Sequence, residues 1–311
     1  MECVRFDFAP GSVPARLTSR VGMDPSGNEA SPIARSARSS QGGYWMSSPR
    51  GRMVPISAPR RFIMDLVHFA HKVPSNPVCR TMDVSAIRRA REDHPDRPSW
   101  AILFMKAYAL VAADHPPLRR AFLGFPWARI YEHPETICAL ALERKFEGEE
   151  GVFVGLFRAP EAQTIKQLSD GINRYKALPI EEIGFFRQAV RYSRVPTPLR
   201  RFMWWSTLNI SGWKKAKRFG TFGVSSSGNL GAESLHPISP LTTTLTYGPI
   251  SPEGKIVMKI IYDHRVLDGA YIARRLADIE ATLADVILPE LLRAASAAAP
   301  QAAPLATAAR K

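Results

Sequence analysis

The chain has 311 residues, of which 45% are hydrophobic and 23% charged, and carries a formal charge of +14 at pH 7. That is enough apolar material to bury one sizeable core or two small ones, and no run of eighteen apolar residues predicts a membrane-spanning helix. Three cysteines, Cys3, Cys79 and Cys138, show neither CxxC nor metal-ligand spacing, so a reducing cytoplasm, no disulfide framework and no metal are expected.

In chain order, residues 1–53 are rich in Ser, Gly, Pro and Arg without sustained periodicity, which predicts a disordered segment with neither a secretory signal nor a targeting helix. A globular domain is expected over 54–292. Within it a strand is expected over 77–84 and a helix over 100–114 that carries Ala101, Met105, Tyr108 and Val111 along one stripe. Segments 136–142 and 151–157 read as a hairpin across a charged turn, with Cys138 as a small buried hydrophobe. Helices over 162–175 and 180–192 and strands over 241–247 and 255–262 follow. A last amphipathic helix buries Ile272, Leu276, Ile279 and Leu283, and the Ala- and Pro-rich stretch 293–311 is expected to be a flexible tail. This order of elements predicts a mixed β-sheet with packed helices, a two-layer α/β sandwich. No GxGxxG or Walker sequence supports a nucleotide-binding fold.

The most informative residues stand where the last strand meets the last helix. His264 and Asp268, four apart, flank a turn that can aim the imidazole into a cleft while Asp268 caps the helix by accepting from its first free N–H groups. Gly269, lacking Cβ, permits a tight approach at the junction. The string Tyr262-Asp263-His264-Arg265-Val266-Leu267-Asp268-Gly269-Ala270 closely resembles the DHRxxDGA signature of dihydrolipoyl acyltransferase catalytic domains. These are the core subunits of 2-oxo acid dehydrogenase complexes, related in fold to chloramphenicol acetyltransferase. Gly220-Thr221-Phe222-Gly223-Val224-Ser225 resembles the GTFTIS segment of the same family. Val54-Pro55-Ile56-Ser57-Ala58-Pro59-Arg60-Arg61 resembles its LSxxRR entry to the first helix. A serine-hydrolase elbow is a poor alternative for Ser225, because G-x-S-x-G requires glycine where Ser227 stands.

The resemblance implies an acyltransferase that moves an acyl group between a coenzyme A thioester and a thiol, hydroxyl or amine. A neutral histidine, ordinarily titrating near 6.5, accepts a proton well around neutral pH. His264 would be the general base, Ser225 the hydrogen-bond donor to the oxyanion, and Arg60 the partner that orients Asp268. No metal is required. Neither end of the chain resembles a lipoyl or subunit-binding module, so no lipoyl group of its own is expected. The family's trimers, in which the histidine of one subunit faces the serine of its neighbour, imply a homotrimer with small-molecule donor and acceptor. A scaffold that keeps the fold without turnover is the alternative reading.

The charge is unevenly placed. Residues 1–53 hold seven arginines against four acids, whereas 193–218 hold seven basic residues and no acid, with Phe202, Trp204, Trp205 and Trp213 among them. A groove for coenzyme A phosphates, a membrane-surface helix, a nucleic-acid platform and a half-buried helix with snorkelling cations all fit that pattern. Because the stretch leads directly into Gly220, Lys214, Lys215, Lys217 and Arg218 are the candidates for coenzyme A. A peripheral membrane contact stays open, and nucleic acid, supported by charge alone, is not expected.

Overall fold

The computed structural model describes residues 51–225 and 227–298. Every element below lies in the unit that begins at Val54. The segment expected to be disordered, 1–53, therefore lies almost wholly outside the described residues, as do 299–311 of the expected tail.

Six strands form one mixed sheet: β1 (Ser75–Asp83), β4 (Ile137–Phe146), β5 (Glu149–Arg158), β6 (Phe222–Val224), β7 (Thr243–Tyr247) and β8 (Lys255–Asp263), in the spatial order β1-β8-β7-β6-β4-β5. The β4–β5 hairpin turns at Glu147 and Gly148, both at positive φ. The short β6 runs parallel to both of its neighbours, while β8 is antiparallel to β1 and β7. A separate hairpin, β2 (Arg120–Leu123) with β3 (Arg129–Glu132), stands outside this sheet. The expected mixed sheet with packed helices is what the chain forms.

One face of the sheet carries the main core. Helix α3 (Trp100–Asp114) has the predicted bounds, but it is buried on nearly all sides rather than along one stripe. It lies between the sheet, where Tyr108 stacks on Phe222 at 4.2 Å and bonds Thr243 Oγ1 at 2.7 Å, and helices α4 (Ile165–Ala177) and α8 (Gly269–Thr282). The predicted Ile272, Leu276, Ile279 and Leu283 are all buried. Beyond α8 the helix widens into a π turn over Leu283–Ile287 and continues as α9 (Leu288–Ala298). Pro289 supplies the cause, because its ring lacks an N–H and crowds the carbonyl one turn back. Helix α9 thus extends six residues into the segment expected to be a flexible tail.

The other face is covered in part by α1 (Ala58–Ala70), α5 (Gly184–Ser193), α6 (Thr197–Asn209) and α7 (Gly212–Phe219). Ser57 caps α1 by accepting from the Arg60 N–H at 3.4 Å. Asp65 of α1, buried, pairs with Arg200 of α6, whose guanidinium also donates to the carbonyls of Ser193 and Val195 at 3.2 and 2.9 Å. A small α2 (Ser85–Glu92) completes the helices. No described helix is long and apolar enough to cross a membrane.

Candidate active site

Strand β8 ends at Asp263, whose carboxylate is buried and builds the turn that follows. Its Oδ1 accepts from the Arg265 N–H at 3.0 Å, and the Arg265 guanidinium closes a fork on both oxygens, at 2.9 and 2.7 Å. The Asp263 carbonyl accepts from Val266 and Leu267, and Leu267 drops into the core. His264 is pinned through its own N–H, which donates to the Pro74 carbonyl at 3.0 Å. The imidazole is thereby held outward on a locked backbone, 47% exposed, with Asp268 Oδ1 3.6 Å from Nδ1. Nε2 makes no hydrogen bond among the described residues, which makes it the nitrogen placed to meet a substrate.

Asp268 occupies the N-cap position of α8 in an extended conformation, but its side chain makes no capping hydrogen bond, contrary to expectation. It is 84% exposed and turned toward His264 instead. Gly269 plays its predicted part: a Cβ there would stand 3.1 Å from the Tyr262 hydroxyl, tighter than ordinary contact. Arg60 does not reach Asp268. It is exposed on the first turn of α1 and forms no ion pair among the described residues, so the expected orienting pair is absent within one chain.

Ser225 follows β6 directly, and strand alternation sets its direction. Phe222 and Val224 enter the core, so Gly223 and Ser225 face the opposite side. There they line a cavity of about 150 Å³ between the sheet and helices α1, α5 and α7. The Ser225 N–H donates to the Leu245 carbonyl at 3.0 Å, fixing the backbone beneath the side chain. Thr244 lines the same cavity, and its hydroxyl is buried without a hydrogen-bond partner among the described residues. Sequence reasoning did not single out Thr244. It sits in the run Thr242-Thr243-Thr244, where only the pleat tells which hydroxyl meets the core and which the cavity.

His264 and Ser225 do not meet within the chain. Ser225 extends β6 to the level of Thr246, whereas His264 extends β8 past Thr242 to the level of Leu241 on the intervening β7. Two strand spacings separate them laterally, roughly 10 Å, and about five residues along the strands, roughly 17 Å. Both distances exceed hydrogen-bond reach.

The basic cluster is also divided. Lys214 and Lys217 are exposed on the outer side of α7, Lys217 over the Trp213 ring at 4.8 Å. Lys215 and Arg218 turn inward but enter different cavities. Arg218 donates to Thr207 Oγ1 at 2.8 Å and lines the cavity of Ser225. Lys215 is buried, donates to the Phe122 carbonyl at 3.2 Å, and lines a second cavity with Lys72 and Arg265. Burial lowers its ammonium to about 8; the Asp263 carboxylate opposes that shift and Arg265 adds to it. The four candidates therefore form no single anion groove within one chain. No group of three or more His, Cys, Asp or Glu able to hold a metal occurs among the described residues. Cys138 is buried, as expected, and burial pushes its thiol up.

The sequence matches no family model and no curated protein. The fold, by contrast, is shared with solved structures. Over 79% of this chain and 96% of the other, it matches a dihydrolipoamide acetyltransferase of Azotobacter vinelandii with a TM-score of 0.57 at 17% identity. A probable dihydrolipoamide acetyltransferase of Listeria monocytogenes matches over 76% of this chain and 95% of the other, with a TM-score of 0.55 at 18% identity. A truncated catalytic core of the 2-oxoacid dehydrogenase multienzyme complex from Thermoplasma acidophilum gives 0.54 at 16% identity, over 76% of this chain and 99% of the other. The chain thus has the fold of dihydrolipoamide acetyltransferase catalytic cores.

Proposed function

We propose that this protein is an acyltransferase that moves an acyl group between a coenzyme A thioester and a thiol, hydroxyl or amine acceptor. The observation that carries the reading is the turn after β8, which presents a half-exposed imidazole with Nε2 free, on a backbone locked by Asp263 and Arg265. In the Azotobacter enzyme, a serine, a histidine and an asparagine four positions after the histidine were studied for their role in the catalytic mechanism. Here the corresponding types are Ser225, His264 and, four positions on, Asp268.

In the forward step His264 Nε2 takes the proton of the acceptor as the acceptor's S, O or N attacks the thioester carbon. The electron pair of the carbonyl moves onto oxygen, and the Ser225 hydroxyl donates a hydrogen bond to that oxyanion. Collapse expels the coenzyme A thiolate, which recovers the proton from His264. Asp268 acts on the orientation and charge of the imidazole and does not touch the acyl group. Because His264 and Ser225 are out of reach of each other in one chain, the complete site forms between subunits, and the protein is a homotrimer whose interfaces each combine a histidine with a neighbour's serine. The exposed Lys214 and Lys217 are free to meet coenzyme A phosphates at such an interface.

The test is release of free thiol from acyl-coenzyme A by wild type and His264→Ala. General-base loss predicts a fall of at least about a hundredfold with the fold retained, since the side chain removed is half exposed. Undiminished turnover by the folded variant rejects His264 as the base, and no thiol release by wild type from any acyl-coenzyme A favours the scaffold reading.

A further inference from the structure

We infer that the substrate is a thioester of a medium- or long-chain aliphatic acid, and that its chain lies in an apolar slot behind Ser225, between α1, α5, α6 and α7. The inference rests on the acyltransferase reading above and adds the acyl class, which that reading leaves open.

The cavity that Ser225 lines does not stop at the sheet. Phe62, Phe185, Arg218 and Phe219 wall it on the helical side, and the same four residues wall a further cavity of about 50 Å³ that continues between α5 and α6. The two spaces therefore share wall residues, and the second lies on the side of α5 and α6, where Ala189 of α5 and Met203 and Trp204 of α6 line it. Both charged groups on its wall have partners: Arg200 pairs with Asp65 and donates to two carbonyls, and Arg218 donates to Thr207, whose hydroxyl donates to the Met203 carbonyl. Gln188 and Tyr192, also on the wall, bond each other at 3.0 Å, and the rest of the lining is carbon from Phe62, Phe185, Ala189, Met203, Trp204 and Phe219, which attracts methylene groups more than a polar acyl substituent.

The outer end is different in kind. Ser225 stands there with Thr244, whose buried hydroxyl has no partner among the described residues. A buried hydroxyl without a partner is costly, and a thioester carbonyl is an acceptor of the right size to satisfy it. A polar end at Ser225 and a mainly apolar space beyond the shared phenylalanines match a fatty acyl thioester: carbonyl between Ser225 and Thr244, chain past Phe62 and Phe219 toward Ala189. An acetyl group would reach the polar end and leave the slot unfilled.

The experiment uses the full chain and unreactive S-alkyl thioethers of coenzyme A, so that binding is read independently of turnover. Calorimetry compares the S-ethyl and S-octyl compounds on wild type and on Ala189→Trp, which fills the inner slot. Each buried methylene is worth a factor of about four, so wild type is expected to bind S-octyl at least tenfold more tightly than S-ethyl. Ala189→Trp should abolish that preference while leaving S-ethyl affinity within twofold. If Ala189→Trp fails to fold, Met203→Phe blocks the same slot from α6 and is read in the same way. Equal affinity of wild type for the two thioethers overturns the inference, as does a preference for S-octyl that survives the filled slot. Failure of the acyltransferase reading looks different: the chain-length preference in binding is present, but no acyl-coenzyme A of any length releases thiol.

Discussion

Lys215 is a cation that the fold buries at a cost to its stability. It lies buried at the edge of the β8–α8 turn with a single carbonyl partner, and its ammonium titrates at about 8 against an ordinary value of 10.5. Below pH 8 it is charged in both folded and unfolded states, and the full desolvation penalty weakens the fold. Between 8 and 10.5 the folded chain has lost the proton that the unfolded chain still binds, so stability rises with pH. Lys215→Met should therefore be more stable than wild type at pH 7 by up to about 3 kcal/mol, a gap that closes as pH approaches 10.5. Urea unfolding of both proteins at pH 7 and pH 10 checks this, and a gap that stays constant contradicts the burial account. Asp268 shows the reverse lesson, since its place in the sequence marks the helix start correctly while its side chain serves the histidine rather than the helix.

At the scale of elements, the layer that bounds the candidate active site is tied at Asp65, which pairs closely with Arg200 and lies 3.9 Å from Arg201 of the same helix. Asp65 of α1 and Arg200 of α6 are both buried, and Arg200 spends its remaining donors on the turn between α5 and α6. Removing one partner strands a charge, so Asp65→Ala should cost about 3 kcal/mol, whereas Asp65→Leu combined with Arg200→Met should recover most of it. Chemical denaturation of the three proteins decides, and a loss under 1 kcal/mol for Asp65→Ala would mean that the pair does not organise this layer. The same pair explains what the sequence could not reveal. Helices α4 and α8 are legible because their apolar residues recur at helical spacing, and α3 and five of the six strands because their apolar runs stand out from their surroundings; the three-residue β6 is too short to show either signal. Helices α6 and α7 are masked by charge: Arg200 reads as a surface cation until Asp65, 135 positions earlier, is placed against it. Arg60 is the opposite case, a cation that stays exposed and does not reach Asp268 within one chain. The β8–α8 turn was readable because Asp263, His264, Arg265 and Asp268 are contiguous. The cavity was not, because Phe62, Phe185 and Phe219 come from three helices that converge only in the folded chain.

For the whole molecule the decisive fact is separation. His264 and Ser225 sit at ends of strands two places apart in the sheet and out of mutual reach, so under the proposed mechanism one copy of the chain would hold two half sites rather than one site. Bringing two copies together so that a turn after β8 faces a neighbour's Ser225 cavity completes both, and closed rotational symmetry repeats the junction without leaving a half site over. The test is complementation. His264→Ala and Ser225→Ala chains, each inactive alone, are mixed, unfolded and refolded together, and thiol release from acyl-coenzyme A is measured with subunit exchange confirmed by mass. A shared site predicts that activity returns to a fraction of the wild-type rate, because some interfaces pair an intact histidine with an intact serine. Confirmed mixing with no recovered activity, or an active wild-type monomer by light scattering, would contradict it.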